Sequence, residues 1–300
     1  MLINSNYVGR FAPSPTGPLH FGSLVAAVTS YLEAKTCNGK WLVRMEDLDK
    51  PREMAGAADD ILRTLESFGF EWDGDIVYQS QRAEAYEEAL TRLQTRDFIY
   101  PCTCSRKEIA DSSSQIGLEG KIYPKTCLKH ALGANIHATF RVITKDEVIK
   151  FDDKIQGEVS QNLATQIGDF VLKRADGLFA YQLAVVVDDA AQGITHIVRG
   201  ADLLDSTPRQ IYLQQILDLP MPSYAHVPIA VNSKGEKLSK QTLAAPISID
   251  LAEQQLLNAL DFLGQNPPAE MQNAKQGEVW RWAFANWSLA NIPRQRTIKV

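Results

Sequence analysis

The amino-acid sequence predicts an α/β fold in which an insertion splits a parallel sheet, with a short helical region at the C-terminal end. Three observations support this prediction. An apolar strand at residues 7–9 runs into a proline-rich loop and then a helix, as at the beginning of a β-α-β unit. Alternating strands replace helices after Tyr100, and helical periodicity returns beyond Pro246. We therefore predict four segments, which comprise residues 1–100, 101–177, 178–245 and 246–300.

The first segment alternates strands and helices. Its loop at residues 10–20 opens into a helix whose apolar residues recur every three or four positions, at Leu24, Ala27, Val28, Tyr31 and Leu32. Residues 41–46 are predicted to form a buried strand ending at Glu46. Because the carboxyl ends of parallel strands line the ligand crevice of an open sheet, this carboxylate is a candidate site residue. Pro51 is predicted to begin the next helix, and another helix covers residues 81–96.

The insertion and the later segments follow different patterns. Alternation around Phe140 and Phe170 predicts antiparallel strands. Residues 181–187 and 195–199 are predicted to be buried strands that return to the parallel sheet, and Thr207 to begin a helix. The C-terminal segment contains two amphipathic helical stretches, and we assign its tryptophans to packing rather than to stacking on bases.

Composition and charge limit the class of protein. The 300 residues are 45% hydrophobic and 22% charged, as in an ordinary globular enzyme, and no apolar run is long enough to cross a bilayer. The first ten residues lack the pattern of a secretory signal. We expect a cytoplasmic monomer that does not associate with membranes. The net charge of −5 argues against broad electrostatic capture of nucleic acid, so any RNA contact must be local.

Two polar motifs lie far apart in the sequence. His20 and Gly22 stand at the start of the first helix, where unpaired backbone N–H groups favour an anion. Lys237 and Lys240 follow a glycine turn late in the chain. No P-loop or dinucleotide motif is present. Taken alone, a histidine such as His20 at a helix start is more often a structural cap, and the lysines are explained equally well as a solvated surface patch.

The cysteines indicate a metal site. Cys102 and Cys104 are separated by one residue and Cys127 follows about twenty residues later, whereas Cys37 stands apart. In a reducing compartment these thiols are not expected to form disulfides, and three thiolates leave one tetrahedral position of a zinc site to fill. Ordinary zinc-site spacing nominates His130. Unliganded buried cysteines are the alternative.

Together the two polar motifs resemble the paired signatures of the class I aminoacyl-tRNA synthetases. HFGS resembles the HIGH signature and KLSKQ the KMSKS signature. The longer stretch RFAPSPTGPLHFGSL has the form found in glutamyl-tRNA synthetases, and RMEDLD, VRGAD and STPRQ resemble further segments of that family. The resemblance covers residues 7–245 and implies the Rossmann-type catalytic domain of class I synthetases.

The resemblance also implies roles for individual residues. It implies a site that binds the phosphates of ATP, accompanied by Mg²⁺, and that catalyses adenylate formation. The residues of this site are His20, Gly22, Lys237 and Lys240. The resemblance assigns L-glutamate to Arg10, Phe11, Ala12, Pro13, Ser14, Glu46, Tyr181 and Arg199. Within this set Arg10 holds the side-chain carboxylate or its neighbour, Glu46 receives the α-ammonium group, and Arg199 completes recognition of the side chain. The two arginines favour glutamate over glutamine as the substrate.

The shorter relatives of these enzymes supply a ligand set for the metal. In them a tyrosine four residues before the last cysteine acts as a ligand, which here is Tyr123. The resemblance therefore implies one structural Zn²⁺ per chain, bound by Cys102, Cys104, Tyr123 and Cys127. His130 remains an alternative fourth ligand.

Departures from the full-length pattern indicate the acceptor. Little sequence follows KLSKQ beyond a helical segment, and RGADLLDSTPRQ differs from the RGEEH-like form of the full enzymes. Both departures match short paralogues that activate glutamate without tRNA and transfer it to the queuosine base in the anticodon loop of tRNA(Asp). We expect that activity here. The alternatives are a shortened synthetase that charges the 3′ end of tRNA(Glu), and a non-catalytic nucleotide- or RNA-binding module.

Overall fold

The computed structural model describes residues 7–129, 138–237 and 245–300. Its first part alternates strands and helices: β1 (Val8–Phe11), α1 (Phe21–Thr36), β2 (Lys40–Met45), α2 (Ala57–Ser67), β3 (Val77–Tyr78) and α3 (Ala83–Thr95). The three strands are parallel in the order β1-β2-β3, and Val8 lies opposite Lys40. The predicted first strand, first helix, second strand and the helix near residues 81–96 are confirmed.

The middle part consists mainly of antiparallel strands. Its elements are β4 (Ile99–Cys102), α4 (Arg106–Ser112), β5 (Ile116–Gly117), β6 (Gly120–Lys121), β7 (Thr139–Val142), β8 (Val148–Asp153), β9 (Gly157–Asn162), α5 (Leu163–Gln166) and β10 (Val171–Lys173). Strands β10, β7 and β4 form one antiparallel sheet, while β5-β6 and β8-β9 are hairpins. The predicted antiparallel pairing around Phe140 and Phe170 is confirmed.

The parallel arrangement resumes after the insertion. The elements are α6 (Tyr181–Ala191), β11 (His196–Gly200), α7 (Thr207–Leu217), β12 (Ser223–Val227), β13 (Ile229–Val231), α8 (Ala252–Phe262), α9 (Gln276–Asn286) and β14 (Thr297–Lys299). Strand β12 pairs in parallel with β11. The backbone N–H of Thr195 donates to the carbonyl of Val8 at 2.9 Å, which places β11 beside β1. The carboxyl ends of β1, β2 and β11 therefore meet at one edge.

Helices cover both faces of this parallel arrangement, as expected for a doubly wound fold. On one face α1 packs with α8 and α9 in a core that includes Trp41, Leu256 and Trp280. On the other face α3, α6 and α7 form a second core with Leu183 and Leu213. The indole N–H of Trp280 donates to a backbone carbonyl at 2.9 Å, and the packing role predicted for the C-terminal tryptophans agrees with this burial.

Two sequence predictions of secondary structure are wrong. Residues 181–187 belong to helix α6 and not to a strand, because a short buried apolar run has no periodicity that separates the two states. Pro51 lies in a single 3-10 turn at Lys50–Arg52, and α2 begins only at Ala57, after Gly56 adopts a left-handed conformation with φ of 79°. The predicted segment boundaries at residues 100, 177 and 245 stay a prediction.

In the described part of the chain, no helix combines the length and the apolar character that a membrane span requires.

Candidate active site

A cavity of about 660 Å³ opens at the carboxyl ends of β1, β2 and β11. It brings together eleven of the residues that the sequence nominated for glutamate and ATP: Arg10, Phe11, Ala12, Pro13, Ser14, His20, Gly22, Glu46, Tyr181, Arg199 and Lys237. Lys240 lies outside the described residues. The predicted site residues thus line one cavity at the edge of the sheet where an open α/β fold binds its ligands.

The loop after β1 aims the start of α1 at the cavity. His20 is the N-cap of α1, with Nδ1 accepting from the backbone N–H of Ser23 at 3.4 Å and Nε2 3.3 Å from the Ser23 hydroxyl. The carbonyl of Pro13 accepts from the N–H of Glu46 at 2.9 Å, which ties this loop to the end of β2. The helix N-terminus supplies partial positive charge for an anion.

Four charged side chains, each at most 9% exposed, form a cluster of which Arg10 and Glu46 line the cavity. Asp189 lies between two arginines, with Oδ1 at 3.1 Å from Arg10 Nε and 2.8 Å from Arg44 Nη1. Arg44 Nη2 also lies 3.3 Å from Glu46 Oε1. The cluster therefore pairs two guanidinium groups with two carboxylates, and Arg10 reaches the cavity with its charge already partly compensated.

The pKa values of the two carboxyl groups shift in opposite directions. Burial raises the pKa of Glu46, and the nearby charges of Arg44 and Arg10 only partly oppose this. Burial also raises the pKa of Asp189, but the two arginines outweigh it and the net direction is downward. Asp189 stays ionised and fixes the arginines, whereas Glu46 is the more easily protonated group of the pair.

Arg199 is held by neutral partners. Its Nε donates to His226 Nε2 at 3.0 Å and its Nη1 to Tyr181 Oη at 3.3 Å. Nη2 donates to Thr207 Oγ1 and Gln210 Oε1 at 2.9 and 2.7 Å. Over residues 7–129, 138–237 and 245–300, no carboxylate lies within ion-pair distance of this guanidinium. The charge of Arg199, a side chain only 5% exposed, therefore faces the cavity without a counter-charge.

Sequence reasoning missed three buried groups behind the cavity. Asp189 lies on α6, His226 on β12 and Asp153 at the end of β8. Asp188 and Asp189 follow the apolar run of α6, and this pair was a signal for Asp189. Because the sequence predicted a strand here, the direction of the Asp189 side chain could not be inferred. No signal in the sequence connects Asp153 with His226, which are 73 residues apart.

A lysine and an aspartate meet at the mouth of the cavity. Lys237 Nζ forms an ion pair with Asp202, which lies two residues beyond the end of β11 and also lines the cavity. The backbone of Lys237 bridges to Val231 in β13. The start of the KLSKQ motif and His20 therefore line the same cavity.

The predicted metal ligands converge in the insertion. The sulfur atoms of Cys102, Cys104 and Cys127 all lie within 4.8 Å of one another. Tyr123 Oη lies 3.3 Å from Cys102 Sγ and 3.6 Å from Cys104 Sγ, and it accepts from the N–H of Cys127 at 2.8 Å. Three sulfur atoms and one oxygen around a common centre fit a tetrahedral zinc site. His130 lies outside the described residues.

A comparison with family models defines the class of protein. Residues 7–287 match the family described as tRNA synthetases class I (E and Q), catalytic domain. The crystal structure of the glutamate-tRNA synthetase from Elizabethkingia anophelis superposes with a TM-score of 0.78 over 98% of this chain and 68% of that chain, at 24% identity. That likeness shows the fold. The chain has the class I synthetase fold, with an α/β architecture and a parallel sheet.

Closer relatives define the family within that class. The chain is 57% identical over 297 residues to a Glutamyl-Q tRNA(Asp) synthetase of Dechloromonas aromatica, covering 99% of both proteins. It is 52% identical over 296 residues to a protein of the same name from Ectopseudomonas mendocina, covering 99% of this chain and 98% of that protein. The chain belongs to the glutamyl-Q tRNA(Asp) synthetase family and is a ligase of the synthetase type.

Proposed function

We propose that the protein activates L-glutamate with ATP in the absence of tRNA and transfers the glutamyl group to the queuosine base in the anticodon loop of tRNA(Asp). The observation that carries the first half is the uncompensated guanidinium of Arg199 in the cavity. The second half rests on the relatives of the chain, which share 51–57% identity over nearly their full length and bear this name.

Glutamate recognition follows from the charges around the cavity. Four of the five N–H donors of Arg199 are used by His226, Tyr181, Thr207 and Gln210. The remaining Nη1–H and the Tyr181 hydroxyl are the donors for the side-chain carboxylate, with Arg10 beside them. The Glu46 carboxylate receives the α-ammonium group. Phe11, Ala12, Pro13 and Ser14 form the adjoining wall.

ATP occupies the part of the cavity next to α1. His20 donates to the phosphates from the helix start, and Gly22 allows the nucleotide to approach the backbone closely. Lys237 and Lys240 neutralise the phosphate charge, and phosphate oxygens together with water hold Mg²⁺. Lys237 exchanges Asp202 for the phosphates when ATP enters.

The reaction itself needs no protein nucleophile. An oxygen of the glutamate α-carboxylate attacks the α-phosphorus of ATP, the bond to the β-phosphate bridging oxygen breaks, and pyrophosphate leaves with the electron pair. The chain contributes alignment of two anions and stabilisation of phosphate charge. A nucleophile of the queuosine base then attacks the glutamyl carbonyl, and AMP leaves.

We further propose that Cys102, Cys104, Tyr123 and Cys127 bind one structural Zn²⁺. Bound by these four residues, the ion would cross-link β4 to the segment before residue 129. What supports this is the donor set, three sulfur atoms and a phenol oxygen that converge on one point.

The test of activation is ATP–pyrophosphate exchange with purified protein, glutamate and no tRNA. We expect exchange that depends on glutamate and is absent with glutamine. Exchange that requires tRNA(Glu) would instead identify a shortened conventional synthetase, and no exchange under any condition would identify a binding module.

The test of the acceptor uses radiolabelled glutamate and three RNAs: tRNA(Asp) with queuosine, tRNA(Asp) from cells unable to make queuosine, and tRNA(Glu). We expect label only on the first. Label on tRNA(Glu) that periodate treatment of the 3′ end abolishes would contradict the proposal.

A further inference from the structure

Asp153, His226 and Arg199 form a buried hydrogen-bonded chain behind the cavity. Asp153 Oδ2 lies 2.6 Å from His226 Nδ1, and Arg199 Nε donates to His226 Nε2 at 3.0 Å. All three are at most 5% exposed. Arg199 on β11 and His226 on β12 are direct partners in the parallel pairing of these strands, whereas Asp153 comes from the β8-β9 hairpin of the insertion.

The hydrogen bonds of Asp153 determine which nitrogen of His226 carries the proton. Its Oδ1 accepts from the backbone N–H groups of Ile155, Gln156 and His226 at 2.9–3.1 Å, which leaves Oδ2 as the acceptor for Nδ1–H. A carboxylate with four such donors is ionised. His226 therefore has a proton on Nδ1 and a lone pair on Nε2, directed at Arg199 Nε–H.

Because the imidazole of His226 is neutral, it does not compensate the positive charge of Arg199. A carboxylate in direct contact with Arg199 would orient the guanidinium equally well, but it would also neutralise the charge that the substrate carboxylate needs. A neutral acceptor fixes the orientation and leaves the charge in place. Burial and the charge of Arg199 lower the pKa of His226 to about 4, against the opposing effect of the bond to Asp153, so the ring is neutral at physiological pH.

We propose that His226 is a positioning residue for substrate specificity, which Asp153 holds in one tautomer so that Arg199 presents an oriented, uncompensated Nη1 to the side-chain carboxylate of the amino acid. This inference rests on the proposed glutamate activation and assigns a specificity role to two residues that do not line the cavity. A second consequence is that the insertion, through Asp153, contributes to the amino acid site of the parallel sheet.

Two substitutions at His226 separate its two hydrogen bonds. The amide of His226→Asn occupies the position of Nδ1 and keeps the donor to Asp153, but it lacks an acceptor for Arg199. The longer amide of His226→Gln places a carbonyl oxygen near the position of Nε2 and retains that acceptor. Because His226→Asn also removes more side-chain volume than His226→Gln does, the volume-conserving variant Asp153→Asn and the comparison of the KM for glutamate with the KM for ATP separate the hydrogen-bonding role from a purely structural one.

The measurement is the KM for glutamate and for ATP in pyrophosphate exchange. We expect H226N to raise the KM for glutamate by about tenfold or more, as for a lost hydrogen bond to a charged group, and to leave the KM for ATP within about twofold. We expect H226Q to recover most of the glutamate affinity. Circular dichroism and thermal unfolding report whether each variant folds.

Asp153→Asn gives an independent test of the tautomer. The amide group presents an N–H donor to Nδ1, so the proton moves to Nε2 and opposes Arg199 Nε–H. We expect D153N to raise the KM for glutamate as H226N does. His196→Asn is the matched control, because His196 is a half-buried histidine that stacks on Tyr7 with ring centroids 3.9 Å apart and does not line the cavity.

Several outcomes would overturn the inference. Unchanged glutamate KM in folded H226N and D153N would contradict it, as would equal losses for glutamate and ATP or equal effects of H226N and H226Q. If H226N does not fold, the contrast between D153N and H226Q decides the question in the same way. If the wild-type protein shows no glutamate-dependent exchange, the proposed function itself is overturned. If the wild type is active and the variants have an unchanged KM for glutamate, only the positioning role is overturned.

Discussion

Two buried arginines face the same cavity in different electrostatic states. Arg10 pairs with Asp189, which also pairs with Arg44, so its charge is shared within a cluster. Arg199 donates to His226, Tyr181 and other neutral groups. An incoming carboxylate gains more from the uncompensated charge, because that charge has already lost its hydration without gaining a counter-ion. We therefore place discrimination between acid and amide at Arg199 and the shaping of the pocket at Arg10.

The raised pKa of Glu46 predicts the acid limb of the activity profile. Protonation removes the charge that we propose receives the α-ammonium group, so kcat/KM for glutamate should fall as the pH decreases, at a pH above the range of an ordinary glutamate side chain. Pyrophosphate exchange measured across the acid range checks this. Glu46→Gln should abolish the limb and lower kcat/KM at neutral pH. A limb that persists in E46Q with full activity would contradict the assignment.

The pair of Asp153 and His226 predicts how stability depends on pH. The pKa of His226 is about 4 in the folded protein and about 6.5 in the unfolded chain, so the unfolded chain binds the proton more readily. The stability that the neutral ring contributes is present above pH 6.5 and is lost as the pH falls toward 4. This loss amounts to about 2 kcal/mol between pH 7 and pH 5. The lowered pKa of Asp153 adds a loss in the same direction at lower pH.

Urea unfolding at these two pH values measures the loss. His226→Gln should remove most of the difference between them, whereas His196→Asn should remove a smaller part, because burial also lowers the pKa of His196. An equal pH dependence in wild type and H226Q would show that other groups control acid stability.

At the scale of single residues, the sequence predicted the side chains that lie in contiguous motifs. Residues of one motif stay together whatever the rest of the chain does, which is why His20 and Gly22, or Cys102 and Cys104, were recognisable. Asp153 and His226 each lie in ordinary strand sequence, and only the packing of the insertion against β12 brings them together. Their partnership is a property of tertiary structure.

At the scale of elements, helix α6 determines how the charged cluster is built. Its apolar residues Leu183 to Val186 are all buried, so the run lacks the polar positions that reveal a helical period. As a helix it directs Asp188 toward Arg82 and Tyr86, and Asp189 toward Arg10 and Arg44. The sequence predicted an element here and its burial, but the identity of the element required the surrounding structure.

The proposed zinc site predicts that the stability of the surrounding region depends on the metal. The hydrophobic cluster around the proposed ligands is small, because its buried residues are only Tyr100, Cys102, Tyr123 and Cys127. It therefore provides little hydrophobic stabilisation without a cross-link. We expect about one Zn²⁺ per chain by elemental analysis, lost in Cys127→Ser, with a thermal midpoint lower by several degrees. Cys37→Ser is the matched control, because Cys37 ends α1 and lies outside the cluster. Full metal content in C127S would contradict the assignment.

At the scale of the whole molecule, the cavity lies where two parallel units meet. The N-terminal unit supplies the loop after β1 and the start of α1, and the later unit supplies Arg199 and Lys237. The alternation of strands and helices predicted this edge of the sheet as the ligand site, and the motifs predicted most of its lining. The insertion's contribution from Asp153 was not predictable, because it depends on how a hairpin packs.

The net charge of −5 fits a protein whose contacts with RNA are local. Arg199 provides positive charge inside the cavity and Lys237 provides it at the mouth. The positive charge that the proposed recognition of glutamate and phosphates requires is thereby present at the site.

The most direct test of this account compares glutamate with glutamine in tRNA-free pyrophosphate exchange, for the wild type and for Arg199→Met. We predict a wild-type preference for glutamate of about a thousandfold or more, and a loss of about a hundredfold or more in kcat/KM for glutamate in R199M, which also loses most of the preference. Arg92→Met, at a surface ion pair with Asp218, is the control and should behave as wild type. A folded R199M that still prefers glutamate strongly would contradict the central claim that the uncompensated charge of Arg199 selects the substrate.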